Sequence, residues 1–114
     1  MNSTLRINPE KLNQIKLVVF DVDGTLVSDD GVVGEKSLAL IKELMNHDVK
    51  ISLASGRLHS ALVEIAEIIG TSTPLISLDG ALIKNKEGNQ IVHQSSLRKK
   101  IVNTSIELAE KYSF

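Results

Sequence analysis

An uninterrupted apolar run that is followed by two acids limits the folds that this chain can adopt. Residues 17–20 read Leu-Val-Val-Phe, and Asp21 and Asp23 follow directly. Because the run lacks the apolar–polar alternation of a half-buried strand, it predicts a strand over about 16–20 that is buried on both faces, as in parallel sheets. The fold class is therefore predicted to be α/β. Asp21 would lie at the carboxyl end of that strand, where open α/β sheets bind their ligands.

The two acids have a spacing that suits shared chemistry. Residues i and i+2 of an extended chain point to one side, so Asp21 and Asp23 can face one reacting centre. One carboxylate can attack as a nucleophile, and the other can act as general acid and base if its surroundings raise its pKa. Carboxylates beside a substrate phosphate are also the usual arrangement for Mg²⁺. Gly24 lets the backbone turn and approach a bound group, although Asp-Gly is also a common plain turn.

A second candidate site follows the next predicted strand. The largely apolar segment 49–54 ends in Ser55, Gly56 and Arg57, and a helical pattern begins at Leu58. A hydroxyl at the carboxyl end of a strand can hydrogen-bond a phosphate oxygen, and free amides at a helix start reinforce this. Ser55 taken alone is better explained as a helix cap. Its place one strand–helix–strand unit after Asp21 favours phosphate binding.

Helices and strands alternate along the remaining chain. The periodicity predicts helices and strands at these positions: helices over 34–46, 58–69 and 97–112, a strand over 75–78, and a hairpin over 81–93. Asp79 and Gly80 follow the third strand, where they suit contact with a substrate, although Asp-Gly there is equally a plain turn. Ser95 or Ser96 is predicted to cap the last helix.

The motif Asp21-Val22-Asp23-Gly24-Thr25-Leu26 resembles motif I of the haloacid dehalogenase-like (HAD) hydrolase superfamily. Residues 53–57 resemble its motif II, in the Ser-Gly-Arg form typical of the Cof-type branch. The resemblance implies a HAD-like Rossmannoid parallel sheet with flanking helices, and a Mg²⁺-dependent phosphatase. It implies that Asp21 forms an aspartyl-phosphate, while Asp23 protonates the leaving group and then activates water.

The same resemblance implies the binding groups. Mg²⁺ would be held by Asp21 and by the main-chain carbonyl of Asp23. The phosphate-binding residues implied are Ser55, Gly56, Gly24 and Thr25. The expected partner is a small phosphorylated metabolite, with sugar phosphates among those that fit the branch.

The resemblance covers about residues 16–112, less than half of a typical family member. Residues 1–82 are interpreted as the N-terminal half of the core domain, and residues 83–114 as a hairpin and first helix leading into a truncated α/β cap. Motifs III and IV, a lysine and an acidic pair, do not follow. We therefore expect weak metal affinity and poor turnover from this polypeptide alone. We also expect the strand over 17–20 to be an exposed edge that self-associates or pairs with a complementing chain.

Composition excludes several other classes of function. The 114 residues carry a formal net charge of −1, which gives no reason to expect a nucleic acid or a membrane as partner. The chain has no cysteine, hence no disulfide framework, and no apolar run of membrane-spanning length. A cytoplasmic location is therefore expected. Two alternatives to the phosphatase are a non-catalytic HAD-fold fragment or assembly module, and a phosphomutase or dehalogenase that uses the same aspartate nucleophile.

Overall fold

One mixed sheet of five strands organises the molecule, which a computed structural model describes over residues 9–113. The elements are, in chain order, α1 (Pro9–Leu12), β1 (Leu17–Asp21), α2 (Glu35–Asn46), β2 (Lys50–Ala54), α3 (His59–Ile69), β3 (Leu75–Ser77), a single 3₁₀ turn (Leu78–Gly80), β4 (Leu82–Lys84), β5 (Ile91–Gln94) and α4 (Lys99–Lys111). The strands lie in the order β1-β2-β3-β4-β5. β1, β2 and β3 are parallel, and the hairpin of β4 and β5 continues the sheet in antiparallel pairing. The predicted α/β class is confirmed.

The core lies between the parallel strands and the helices α2 and α3. Both helices contact β2, and they also contact each other, so they cover the same face of the sheet. Fully buried side chains meet there from both layers: Ile41, Ile51, Leu53, Leu62, Ile69 and Leu75. Gly70 ends α3 in the left-handed conformation, with φ of 85°, as its position after the apolar pattern predicts.

The prediction that β1 is buried on both faces is wrong. Val18 and Phe20 pack against the core, but Leu17 and Val19 on the opposite face remain 49% and 43% exposed. The reason is that α2 and α3 cover only the face that carries Val18 and Phe20. Within residues 9–113, β1 pairs with β2 on one side and forms the edge of the sheet on the other. The expected exposed edge at residues 17–20 is therefore present in the described part of the chain.

The loop after β1 contributes to the core, which its polar composition did not predict. Val22, Leu26, Val27 and Val33 are all buried. Isolated bridges join Val27 to Asp23 and to Val33, so the loop folds back on itself. The segment that carries Asp21 and Asp23 is therefore anchored in the hydrophobic core by these apolar side chains.

The C-terminal segment is the most open part of the described structure. α4 begins at Lys99, with Arg98 as its N-cap residue and no capping side-chain hydrogen bond, so the predicted cap at Ser95 or Ser96 is wrong. Apart from the half-buried Ala109, the described residues of α4 are exposed. β4 pairs with β3, so the sheet continues past residue 82, and the predicted domain division there stays a prediction. No helix in the described residues is long and apolar enough to cross a membrane.

Candidate active site

The candidate site lies at the carboxyl ends of β1, β2 and β3. The strand register places Asp21 beside Ala54 and Ala54 beside Ile76, so the segments after these strands emerge next to one another. A cleft of about 320 Å³ opens there, and its lining residues are Asp21, Ala54, Ser55, Gly56, Ile76, Asp79 and Gly80. The structure thus brings together one predicted acid, the predicted phosphate-binding loop and the predicted substrate-side residues.

The local fold explains why the two acids face outward. Val22 between them is fully buried, whereas Asp21 and Asp23 are exposed. Gly24 follows in the left-handed region, with φ of 75°, and its amide donates to the Val27 carbonyl at 3.0 Å. The Thr25 hydroxyl donates to the Asp21 carboxylate at 3.2 Å. Gly24 therefore forms the turn and Thr25 orients Asp21, while phosphate binding by these two residues stays a prediction.

Asp23 is held by a residue from the neighbouring loop. Arg57 donates from Nε to Oδ2 of Asp23 at 3.0 Å and from Nη2 to Oδ1 at 2.5 Å, which makes a two-pronged ion pair. The Ser55 hydroxyl donates to Oδ2 of Asp23 at 3.4 Å. The hydrogen bonds and charge of Arg57, with the Ser55 hydroxyl, hold the pKa of the Asp23 carboxyl below its usual value.

This arrangement differs from what the sequence required of a general acid. That role needed surroundings that raise the pKa of Asp23, and Arg57 does the opposite. The ion pair favours the carboxylate form, which suits a base that activates water. Protonation of a leaving group by Asp23 requires Arg57 to release it first. The sequence did not predict that Arg57 pairs with Asp23, because a contact between residues 34 positions apart leaves no periodic pattern. The only indication was the position of Arg57 directly after Ser55 and Gly56.

The ion pair predicts a measurable change in titration. In Arg57→Gln, the pKa of Asp23 is expected to rise toward its ordinary value, because its main stabilising partner is removed. In the wild type, the ion pair is present above the lowered pKa and is lost as pH falls through it. A pH titration followed by NMR of the side-chain carboxyl carbons measures this directly.

Asp30 is the matched internal control for that titration. Its pKa is also lowered, but by the Ser28 hydroxyl and the Val32 amide rather than by Arg57. Asp30 should therefore titrate identically in both proteins. An unchanged Asp23 titration in Arg57→Gln would contradict the ion pair.

Ser55 is not a helix cap in this structure. α3 begins at His59 and its N-cap residue is Leu58, with no capping side chain. The Ser55 hydroxyl instead accepts a hydrogen bond from the Arg57 amide at 3.1 Å, closing a tight turn after β2. The capping alternative is excluded, and Ser55 is left facing Asp23 beside the cleft.

The described residues offer a limited set of ligands for a metal ion. Across residues 9–113 no group of three or more His, Cys, Asp or Glu side chains could hold one. Asp21 presents an exposed carboxylate to the cleft, and the Asp23 side chain is engaged by Arg57. One or two oxygen ligands completed by water and substrate phosphate suit Mg²⁺. The residues present therefore fit a weakly held Mg²⁺.

A larger cleft, of about 350 Å³, lies at the opposite end of the sheet. It is lined by Met45, Asp48, Val49, Lys50, Ile51 and residues 70–73. The first five run from the last turn of α2 into the start of β2, and residues 70–73 follow α3, so the cleft lies at the amino end of the parallel strands. Its larger volume does not make it the better candidate, because Asp21, Asp23 and the loop of residues 55–57 lie at the carboxyl end of the strands.

Comparison with known proteins identifies the family. A family model described as haloacid dehalogenase-like hydrolase matches residues 18–114. The chain belongs to the haloacid dehalogenase-like hydrolases. Similar curated proteins include a candidate phosphatase of Mycoplasma genitalium, 30% identical over 95 residues, which cover 83% of this chain and 34% of that protein. The HMP-PP phosphatase of Shigella flexneri is 32% identical over 82 residues, covering 72% of this chain and 30% of that protein.

Solved structures of HAD hydrolases show the same architecture. A HAD-superfamily phosphatase from Bacteroides thetaiotaomicron has a TM-score of 0.80 and 28% identity, covering 97% of this chain and 41% of that one. A haloacid dehalogenase-like hydrolase from Bacillus subtilis has a TM-score of 0.74 and 26% identity, covering 87% of this chain and 34% of that one. The family and the HAD-like fold are thus confirmed, and the relatives support the Cof-type branch. The chain spans about a third of the length of the curated HAD relatives it matches.

Proposed function

We propose that this chain carries the nucleophile half of a HAD phosphatase site, which hydrolyses small phosphomonoesters through an aspartyl-phosphate at Asp21. The observation that carries the proposal is the meeting of Asp21 with Ser55 and Gly56 in one cleft at the carboxyl ends of adjacent parallel strands. The named phosphatases among its relatives support the reaction class. HMP-PP in the name of one relative supports a small phosphorylated metabolite as substrate.

The proposed reaction proceeds in two displacements. An Oδ atom of Asp21 attacks the phosphorus atom of the bound ester. Asp23, once Arg57 has released it and its carboxylate has taken a proton from solvent, gives that proton to the leaving oxygen as the ester P–O bond breaks. Asp23, again a carboxylate, then takes a proton from water, whose oxygen attacks the phosphorus of the aspartyl-phosphate. The acyl P–O bond breaks, inorganic phosphate leaves, and Asp21 returns to its starting state. Asp23 gives its proton to solvent and pairs with Arg57 again.

Thr25, Ser55 and Arg57 orient the two reacting carboxylates and the substrate phosphate. The Thr25 hydroxyl fixes one carboxylate oxygen of Asp21, and the Ser55 hydroxyl is placed to turn from Asp23 to a phosphate oxygen. Arg57 favours the carboxylate form of Asp23, which is the form that takes a proton from water in the hydrolytic step, and it must release Asp23 before the first displacement. Bound Mg²⁺ would supply neutralisation of charge on the phosphoryl group.

Turnover of this polypeptide is expected to be slow. Asp21 and Asp79 present like charge to an incoming phosphate, and no Lys or Arg lines the cleft in the described part of the chain. Arg57 is already paired with Asp23. Charge neutralisation within the cleft therefore depends on the metal ion.

The experiment that tests the proposed function is hydrolysis of p-nitrophenyl phosphate as a function of Mg²⁺. We expect activity that rises with millimolar Mg²⁺ and falls to the no-protein background with excess chelator, because the described residues offer few ligands and little positive charge of their own. Adding Mg²⁺ back should restore it. Equal turnover in chelator and in Mg²⁺ would contradict the metal-dependent mechanism.

A second candidate function, an assembly module, is favoured by the open edge of β1. An apolar edge strand with unpaired backbone groups is a template for another strand, and Leu17 and Val19 add exposed apolar area. We propose that this edge pairs with another polypeptide, either a second copy or a complementing chain. Pairing would complete a larger sheet beside Asp21.

Light scattering at micromolar protein concentration tests whether the β1 edge mediates association. The wild type is expected to have a mass above that of one chain, and Val19→Lys should reduce association, because a charge on an edge strand opposes pairing. Leu40→Lys is the control, since Leu40 on α2 is similarly exposed at 53% but lies away from the edge. A monomeric wild type that gains no partner from a cell extract would contradict the assembly role.

A further inference from the structure

Asp79 occupies a strained turn at the mouth of the cleft. It follows Leu78, the first residue after β3, and both Leu78 and Asp79 have left-handed backbone angles, with φ of 51° and 54°. Residues with a Cβ atom rarely adopt this conformation. Two backbone hydrogen bonds keep the turn in place: the Leu78 amide donates to the Arg57 carbonyl and the Asp79 amide to the Ser55 carbonyl, each at 3.1 Å. The turn is therefore hydrogen-bonded to the loop of residues 55–57.

The carboxylate of Asp79 fits against Gly56. A Cβ atom on Gly56 would lie 3.0 Å from Oδ1 and 3.3 Å from Oδ2 of Asp79, which is closer than ordinary contact. The missing side chain at residue 56 thus leaves the space that the carboxylate takes. Because Asp79 also lines the cleft that contains Asp21 and Ser55, its charge lies beside the proposed reaction centre.

Asp79 differs from the neighbouring acids in its partners. Asp23 is paired with Arg57, and Asp21 accepts a hydrogen bond from Thr25. The side chain of Asp79 makes no hydrogen bond or ion pair with another residue in the 9–113 range. A carboxylate can only accept hydrogen bonds, and it repels a second anion. Its natural complement is a donor on the ligand.

We infer that Asp79 determines substrate specificity by binding a hydrogen-bond donor on the alcohol part of the phosphomonoester, with a cationic amine preferred over neutral hydroxyls and a second anionic group disfavoured. This inference rests on the proposed function, because it takes the phosphate to lie at Asp21 and Ser55. Asp21 and Ser55 then bind the phosphate group of the substrate, and the charge of Asp79 selects its alcohol part.

Three small phosphomonoesters of similar size separate the possibilities: ethanolamine phosphate, glycerol phosphate and phosphoglycolate, whose alcohol parts are cationic, neutral and anionic. Their dissociation constants are measured with Mg²⁺ by NMR titration of the Gly56 and Gly80 amides, which needs no turnover. The wild type is expected to bind ethanolamine phosphate about tenfold or more tighter than phosphoglycolate, from one charge–charge contact in a solvated cleft. Asp79→Asn should bring the two affinities to within about threefold.

Asp48→Asn is the matched control. Asp48 also has a left-handed backbone, with φ of 62°, but lies at the amino end of β2 beside the other cleft. It removes the same charge and should keep the wild-type preference. A preference that survives in Asp79→Asn, or ligands that do not shift the Gly56 and Gly80 amides, would overturn the inference.

Hydrolysis of p-nitrophenyl phosphate in the same samples distinguishes this inference from the proposed function. Turnover without a charge preference in binding overturns the role of Asp79 and leaves the phosphatase standing. A charge preference that depends on Asp79, without turnover in any sample, supports the specificity role and contradicts the phosphatase.

Discussion

Asp21→Asn is expected to reduce Mg²⁺-dependent hydrolysis of p-nitrophenyl phosphate by about a thousandfold or more, to the level of the background. The amide keeps the size and the Thr25 hydrogen bond of the original side chain, but it is a far poorer nucleophile. The expected loss is in kcat, because the covalent step disappears while the cleft remains. Steady-state kinetics at saturating Mg²⁺ provide the measurement.

Asp48→Asn again serves as the control for Asp21→Asn. It makes the same chemical change at the opposite end of the sheet, so its kcat should equal that of the wild type. Circular dichroism of all three proteins checks that the fold is retained. If Asp21→Asn hydrolyses the ester as fast as the wild type, Asp21 is not the nucleophile, and the non-catalytic assembly role becomes the better account.

Leu53→Ala should lower the free energy of unfolding by about 2–5 kcal/mol. Leu53 is completely buried in β2 and lies under α2 and α3, so truncation leaves a cavity that the two layers cannot close. Since small domains are stable by only about 5–15 kcal/mol, much of the protein would unfold at modest urea concentration. Urea unfolding followed by far-ultraviolet circular dichroism measures the change.

Leu40→Ala gives the matched comparison for that substitution. Leu40 lies on the outer side of α2 and is 53% exposed, so its truncation should change the free energy of unfolding by no more than about 0.5 kcal/mol. Equal losses at residues 40 and 53 would mean that the core does not lie between β2 and the two helices.

Local patterns in the sequence were enough to predict the order of elements. The helices α2 and α3 follow directly from apolar residues at helical spacing, and Gly70 ends α3 where expected. Asp21 at the end of β1, Asp23 just beyond it and the serine after β2 lie at strand ends as predicted, because parallel strands place their carboxyl ends together. These features depend on residues close together in the sequence, and the spacing of apolar residues reveals them.

Features that depend on distant neighbours could not be predicted in the same way. An apolar run such as residues 17–20 does not say which face receives helices, so the exposure of Leu17 and Val19 was missed. The Arg57–Asp23 ion pair and the contact of Asp79 with Gly56 join segments far apart in sequence. The burial of Val27 and Val33 likewise comes from a loop that folds back on the core.

Beryllium fluoride, a phosphoryl mimic that binds carboxylate nucleophiles, provides a test of Asp21 as the nucleophile. Amide NMR spectra of the wild type and of Asp21→Asn are recorded with Mg²⁺ before and after its addition. In the wild type we expect the largest shifts in residues 21–25, 55–57 and 79–80, and we expect them to vanish in Asp21→Asn. Shifts that survive in the variant, or that fall instead in residues 45–51 and 70–73 around the opposite cleft, would contradict that role of Asp21.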